Sequence, residues 1–229
     1  MKRVLPALLL VTACGTAHAE QHVTVFAAAS LTRAFTAEAQ AFERVHPGSH
    51  VVLSFAGSQS LVAQVEQGAP ADVLATADTA TLESVRDRLR GAPEVFAHNQ
   101  LALVTAPGNP QHLRSLADLA RPGLKVVLAG PTVPVGKASL AALRAAGITV
   151  HPVSLEDAVT GVVTKVRLGE ADAGLAYVTD LVGEGVAGVP VPGTRTALAV
   201  GALDPAGRAF VAFVLGPAGQ RVLREHGFR

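Results

Sequence analysis

The segments FAAAS (residues 26–30) and FAGS (residues 55–58) decide how this chain folds. Each closes a short apolar run of β type, VTVF at 23–26 and VVLSF at 51–55, and each opens a stretch with helical spacing, 31–45 and 60–67. Where a strand hands over to a helix, the first-turn N–H groups have no partner within the helix and point along its axis. The positive end of the helix dipole lies at the same place, so such a junction suits a small anion. Ser30 stands at the first junction, an N-cap by residue type. Ser58 and Ser60 bracket the second, where Gly57 lets another backbone approach closely. Taken singly, either serine reads as an ordinary cap or turn residue. Their recurrence at successive junctions is what suggests a site.

A third junction follows directly. Residues 71–75 read as a strand, Ala77 lies in the Thr76-Ala77-Asp78 step, and a helix is expected over 79–89. Ala77 offers no side-chain chemistry, but its amide can face the same cleft. Three β-α units in a row imply a parallel sheet covered by helices. In open α/β sheets ligands bind at the carboxyl ends of the strands, where all three junctions fall.

The pattern then restarts. A strand at 101–105 ends in Pro107-Gly108, followed by a short helix at 113–119, a strand at 125–129 and a helix at 137–146 stopped by Gly147. A helix is expected over 154–168, opened by Ser154-Leu155-Glu156-Asp157, which has the form of a capping box. Strands at 173–178 and 196–203 and two terminal helices at 205–215 and 217–226 complete the chain, with Gly216 and Gly227 as stops. The restart fits two lobes linked by crossings near 96–100 and 177–183. No fixed-period repeat or low-complexity tract is present.

The second half repeats the junction chemistry. In Val133-Pro134-Val135-Gly136-Lys137 the proline fixes the chain, the glycine permits close approach, and the amides of Val135 and Gly136 point along the coming helix. Lys137 is open to two readings, an anion ligand or an exposed helix lysine. Ala158 and Val159 occupy the turn after the Ser154–Asp157 step. Tyr177, the single tyrosine, ends an apolar strand. It is either a core tyrosine bonded to backbone or a donor to a bound oxyanion.

Composition narrows the function classes. The chain has 229 residues, is 49% hydrophobic and 16% charged, and carries a formal net charge of +1. That supports a sizeable core and argues against nucleic-acid binding through a basic face. Without tryptophan, and with one tyrosine and eight phenylalanines, stacking platforms for bases or sugars are few. Lys2 and Arg3 followed by the short apolar run 4–11 read as an export signal over 1–19. Two processing readings compete: cleavage after Ala17-His18-Ala19, leaving Glu20 first, or a lipid anchor on Cys14 in Val11-Thr12-Ala13-Cys14. No cysteine follows Cys14, so the exported part holds no disulfide.

Catalytic signatures are missing. Gly57-Ser58-Gln59-Ser60-Leu61 departs from the G-x-S-x-G elbow at its last position. The eight histidines form no H-x-x-x-H or H-E-x-x-H pair, and no metal cluster is visible. Five residues separate Gly130 from Gly136, and Ala138 follows Lys137, so the phosphate-loop pattern fails twice. A secreted hydrolase using Ser30 or Ser58 would need His98 or His151 as base.

The runs VTVFAAASL, FAGSQSLVAQVEQGAPADVLATAD, VPVGKAS and GEADAGLAYVTD, with the ending LGPAGQRVLREHGF, resemble the molybdate-binding proteins of bacterial ABC importers. The GAPAD segment with the following Ala-Asp is the most specific part, and the likeness spans nearly the whole exported chain. The resemblance implies an α/β periplasmic binding protein fold of two lobes, each a mostly parallel sheet with covering helices, joined by two crossover strands. It implies lobe I from 20–98 and 182–229, lobe II from 99–181, and an oxyanion held in the cleft between them by neutral donors. Carried over motif by motif, the ligand set is Ser30, Ser58, Ala77, Val135, Val159 and Tyr177. Val135 stands where the family usually has alanine, Thr160 where arginine often follows, and Ala158 is the alternative to Val159. The implied cargo is molybdate and tungstate, the partner is a membrane permease, and the protein is a periplasmic monomer without catalysis or a resident cofactor. Sulfate or another tetrahedral oxyanion is the competing cargo.

Overall fold

Strand β1 (Gln21–Ala28) is the spine of the first sheet, because Val23, Val25, Phe26, Ala27 and Ala28 are all buried and leave neither face for solvent. The structure is a computed structural model that describes residues 21–229. The expected export signal, Cys14 and the cleavage point before Glu20 lie outside the described residues. After β1 a 3-10 turn (Ala29–Leu31) leads into α1 (Thr32–Val45), then β2 (Ser49–Ala56), α2 (Ser58–Glu66), β3 (Val73–Thr76) and α3 (Thr79–Glu83). The chain continues through β4 (Glu94–Asn99) and β5 (Leu101–Thr105) to β6 (Val126–Ala129), α4 (Pro134–Ala145), β7 (Ser154–Glu156), α5 (Val159–Arg167) and β8 (Ala173–Tyr177). It ends with β9 (Ala187–Pro190), β10 (Thr196–Ala202), α6 (Arg208–Leu215) and α7 (Pro217–Glu225).

Two five-stranded sheets result, ordered β2-β1-β3-β10-β4 and β7-β6-β8-β5-β9. The same plan serves both. Three strands run parallel (β2, β1, β3 and β7, β6, β8), and the fourth runs against them. The reason is the path of the chain. Parallel strands deliver their carboxyl ends to the cleft, and a strand arriving from the other lobe must run away from it. Thus β5, entered from β4, and β10, entered from β9, are each antiparallel to both neighbours.

The crossings therefore lie between Asn99 and Leu101 and between Pro190 and Thr196. The second is later than the expected division at 181/182. The segment after Tyr177 still pairs with lobe II, since Ala187–Pro190 lies in register against β5. A second correction concerns the helix expected over 154–168. Ser154, Leu155 and Glu156 pair in parallel with Val127, Leu128 and Ala129 and complete the sheet edge, so the helix begins only at Val159. Ser154 caps nothing. Its hydroxyl donates to Glu156 Oε1 at 2.8 Å and accepts from Lys165 Nζ at 3.0 Å.

The first lobe's core is aromatic where α1 meets α6. Phe35 packs on Phe96 and Phe210 at ring separations of 5.7 and 6.0 Å, and Phe42 packs on Phe210 at 5.3 Å, all edge to face. Such pairs add about 0.5–1.5 kcal/mol beyond their buried area. The second lobe uses aliphatic side chains instead, with Leu101, Leu103, Val127, Val162, Val166 and Leu175 essentially inaccessible. Among the described residues no helix is long and apolar enough to cross a membrane.

Candidate functional site

Helix starts from both lobes converge on the cleft. The residues preceding them are Ala28, Gly57, Val133 and Ala158, and none makes a side-chain cap. Three are apolar and one is glycine, so the first-turn amides keep their hydrogen-bonding capacity for something that is not the protein. Pro134 at the start of α4 gives up an N–H that would have been spare and sets φ for the helix. By contrast α3, at the end of β3, is capped by its own chain, with Asp78 Oδ1 accepting from the Thr81 amide at 2.6 Å.

The six expected residues all lie at these starts or at a strand end facing them. Ser30 is inside the 3-10 turn that leads into α1, Ser58 opens α2, Val135 is the second residue of α4, Val159 opens α5, Ala77 follows β3 and Tyr177 ends β8. Ser58 and Tyr177 are each only 1% exposed, Val135 is likewise 1% exposed, and Val159 and Ala77 are buried. The Ser30 hydroxyl and the Tyr177 hydroxyl are both buried and make no hydrogen bond. A buried polar group left unpaired costs about 1–3 kcal/mol, and two such donors in one cleft point to a missing acceptor. Burial, together with the fields of Asp180 and Asp78, drives the Tyr177 phenol well above its usual range. The nearby Thr196 hydroxyl works in the other direction without reaching hydrogen-bond geometry. The phenol therefore keeps its proton, and can donate it, at any physiological pH.

Ser58 and Ala77 meet directly. The Ala77 amide donates to Ser58 Oγ at 3.1 Å, which leaves the Ser58 hydroxyl proton as the donor available to the cleft. Ala77 thus orients Ser58 in this structure and does not itself point an N–H into the opening. Three of the contacts between the lobes involve the candidate residues or their near neighbours. Ser30 lines a small cavity of about 120 Å³ with Thr160 and Val163 of α5. In the second, Gln59 Nε2 donates to the Asp157 carbonyl at 2.8 Å. In the third, Lys137 reaches Asp78 Oδ2 at 3.4 Å and Thr81 Oγ1 at 3.1 Å.

The two glycines expected to allow close approach do so. A Cβ on Gly57 would lie 2.3 Å from the Asp157 carbonyl oxygen, across the cleft. On Gly136 it would lie 1.9 Å from the Gly130 carbonyl oxygen, within lobe II. Lys137 is an exposed lysine in the first turn of α4, the second of its two readings. Its ammonium is half exposed but tied to the opposing lobe. Arg33, the other cation on this rim, donates to the Val182 carbonyl.

Three features escaped the sequence reading. Gln59 and Asp157 carry no pattern that pairs them, since 98 residues separate them. Asp180 accepts from the Tyr177 amide at 2.9 Å. Burial, aided by Glu184, pushes its carboxyl up to about 7, against the pull of that amide and of Arg33. Glu38 is fully buried on α1 with neither oxygen bonded, and burial pushes it up to about 8. None of these is announced by residue type, because each depends on what folds over it.

Neither candidate serine is hydrogen-bonded to an imidazole. Ser30 has no partner, and the bond recorded at the Ser58 hydroxyl comes from Ala77. Among the described residues no group of three or more His, Cys, Asp or Glu side chains could hold a metal ion. The arrangement supplies neutral donors on an enclosed floor with an ion pair at the rim. Chemically it can hold a small, fully deprotonated anion through charge-assisted hydrogen bonds.

Comparison with known proteins agrees in kind. Residues 23–229 match the family model described as bacterial extracellular solute-binding protein. The molybdate-binding protein ModA of Mycobacterium tuberculosis is 45% identical over 226 residues, covering 93% of this chain and 87% of that protein. Among solved structures, the periplasmic molybdate-binding protein of Azotobacter vinelandii superposes with a TM-score of 0.77 at 19% identity, covering 90% of this chain and 98% of that one. The sulfate-binding protein SubI of Mycobacterium tuberculosis gives 0.78 at 21% identity, covering 91% and 86%. At these identities the two structures speak for the fold alone.

Proposed function

This chain belongs to the bacterial extracellular solute-binding protein family, and from that membership we propose that it captures molybdate between its lobes and hands it to an ABC importer. It is a molybdate-binding periplasmic protein. The observation that carries this is the pair of buried hydroxyls, Ser30 and Tyr177, that lack any acceptor in a cleft walled by uncapped helix starts. We propose that these two, the Ser58 hydroxyl and the amides at Val135 and Val159 hold the four oxygens, with Ala77 orienting Ser58. Tungstate, with the same charge and shape, is proposed as a second cargo.

The mechanism is binding without catalysis. Each helix start contributes about 0.3–1 kcal/mol toward an anion, more where water is excluded. Each donor is held in place within its own lobe, so the ordering cost at binding is mainly that of closing one lobe on the other. A site made of donors discriminates by protonation. Hydrogen phosphate carries a proton that would need an acceptor, and an unpaired buried hydroxyl costs about 1–3 kcal/mol. We propose that the protein works as a monomer without a resident cofactor, exported by its N-terminal segment.

Calorimetric titration of the chain from Glu20 onward with molybdate, tungstate, sulfate and phosphate tests this. One-to-one binding of the first two, with phosphate silent, is the expected result. Preference for sulfate would overturn the cargo, and silence from all four would overturn the function.

A further inference from the structure

We propose that Lys137 with Asp78 and Thr81, and Gln59 with the Asp157 carbonyl, form a two-point latch that holds the lobes shut and sets how long the anion stays. This rests on the function proposed above. It concerns residues that do not touch the cargo, and a step, release, that the donor set alone does not fix.

The geometry assigns each contact to opposite lobes. Lys137 lies in the first turn of α4, in lobe II, and Asp78 and Thr81 lie at the start of α3, in lobe I. Gln59 belongs to α2 of lobe I, and Asp157 precedes α5 of lobe II. Both contacts bridge the lobes, so opening the cleft would break them. They also sit directly behind residues of the floor: Lys137 is two residues after Val135, Gln59 adjoins Ser58, and Asp157 is two residues before Val159. Closure and floor assembly are thereby one event.

Asp78 is divided between two tasks. Its Oδ1 caps α3 at 2.6 Å from the Thr81 amide, and its Oδ2 faces Lys137 at 3.4 Å. The cap holds the carboxylate in place before closure, so the lysine meets a fixed partner and the ordering cost of the pair falls on one side chain only. The lysine also neutralises a carboxylate whose field reaches Tyr177. Without it, that charge would stand unopposed beside a dianion. The pair is half exposed on the lysine side, so its strength falls with ionic strength.

The test uses a property of the composition. The chain has one tyrosine and no tryptophan, so intrinsic fluorescence excited near 280 nm reports on Tyr177, inside the site. Stopped-flow fluorescence with molybdate gives association and dissociation rates for the wild type, Lys137→Met, Asp78→Asn and Gln59→Ala. Asparagine keeps the α3 cap through its carbonyl oxygen while removing the charge. We expect dissociation about two- to five-fold faster in each variant, with the melting temperature of the ligand-free protein unchanged. The wild-type dissociation rate should rise with salt, and this dependence should flatten in Lys137→Met. The Lys137→Met/Asp78→Asn double variant should be no faster than the worse single one, because both remove the same pair. Unchanged dissociation in Lys137→Met and Gln59→Ala, with a wild type that binds molybdate, would overturn the latch and leave the function standing. A wild type that does not bind molybdate overturns both.

Discussion

At the scale of single residues, the account rests on hydroxyls that have nothing to bond to. Ser30→Ala and Tyr177→Phe each remove one buried donor and fill the space with apolar surface, so the fold should keep or gain stability while molybdate affinity falls by about 1.5–3 kcal/mol, roughly ten- to 150-fold. Calorimetry beside thermal melting separates the two effects. A different residue makes a pH prediction. Glu38 is buried without a partner, and its carboxyl is raised from 4.5 to about 8. The unfolded chain releases that proton near 4.5 while the folded one keeps it, so the folded state binds more protons between those values and stability falls as pH rises. The slope from this group is at most about 1.4 kcal/mol per pH unit. Glu38→Gln should flatten the fall in melting temperature between pH 5 and 8, and an unaltered profile would remove Glu38 as its cause. The placement of Ser30, Ser58, Val135 and Tyr177 at strand–helix junctions was legible in the local pattern, whereas the role given to each came only from the family resemblance. Glu38, Asp180 and the Gln59–Asp157 contact could not, because their environments are assembled from distant segments.

At the scale of elements, the two glycines in the junctions do different work. Gly57 faces the other lobe, where a Cβ would meet the Asp157 carbonyl at 2.3 Å. Gly57→Ala should therefore hold the lobes apart and weaken molybdate binding at least ten-fold while leaving the ligand-free melting temperature nearly unchanged. Gly136 faces its own lobe, with Gly130 and Ala129 carbonyl oxygens 1.9 and 2.6 Å from a Cβ. Gly136→Ala should destabilise the fold itself by about 1–3 kcal/mol, in the manner of an overpacked core. Equal behaviour of the two variants in melting experiments would contradict this division. Most helices and the central strands were legible because apolar periodicity and glycine stops mark them locally, but the helix expected over 79–89 ends at Glu83 and the one expected over 113–119 is a 3-10 turn at Leu116–Ala120. The strands β7 and β9 were not legible. Ser154–Glu156 has the cap-like Ser-x-Glu-Asp lettering of a helix start, and Ala187–Pro190 is short and ends in proline. Each becomes a strand only because a neighbouring strand needs an edge partner, which is a property of the sheet and not of the segment.

At the scale of the whole molecule, the two lobes are alternate uses of one plan: parallel strands that aim helix starts at a shared cleft, and one reversed strand where the chain enters. That plan explains why residues from 30 to 177 meet at one place. It also explains why a neutral floor can hold a dianion, since the backbone of both lobes supplies the positive ends. The central claim is that the anion sits on this floor. The most direct measurement is the anomalous scattering of tungsten in crystals grown with tungstate. The account predicts one strong peak between the lobes, with oxygens within hydrogen-bond reach of Ser30 Oγ, Ser58 Oγ, Tyr177 Oη and the amides of Val135 and Val159. A peak on the ammonium or guanidinium groups of the surface, with none in the cleft at saturating tungstate, would contradict it.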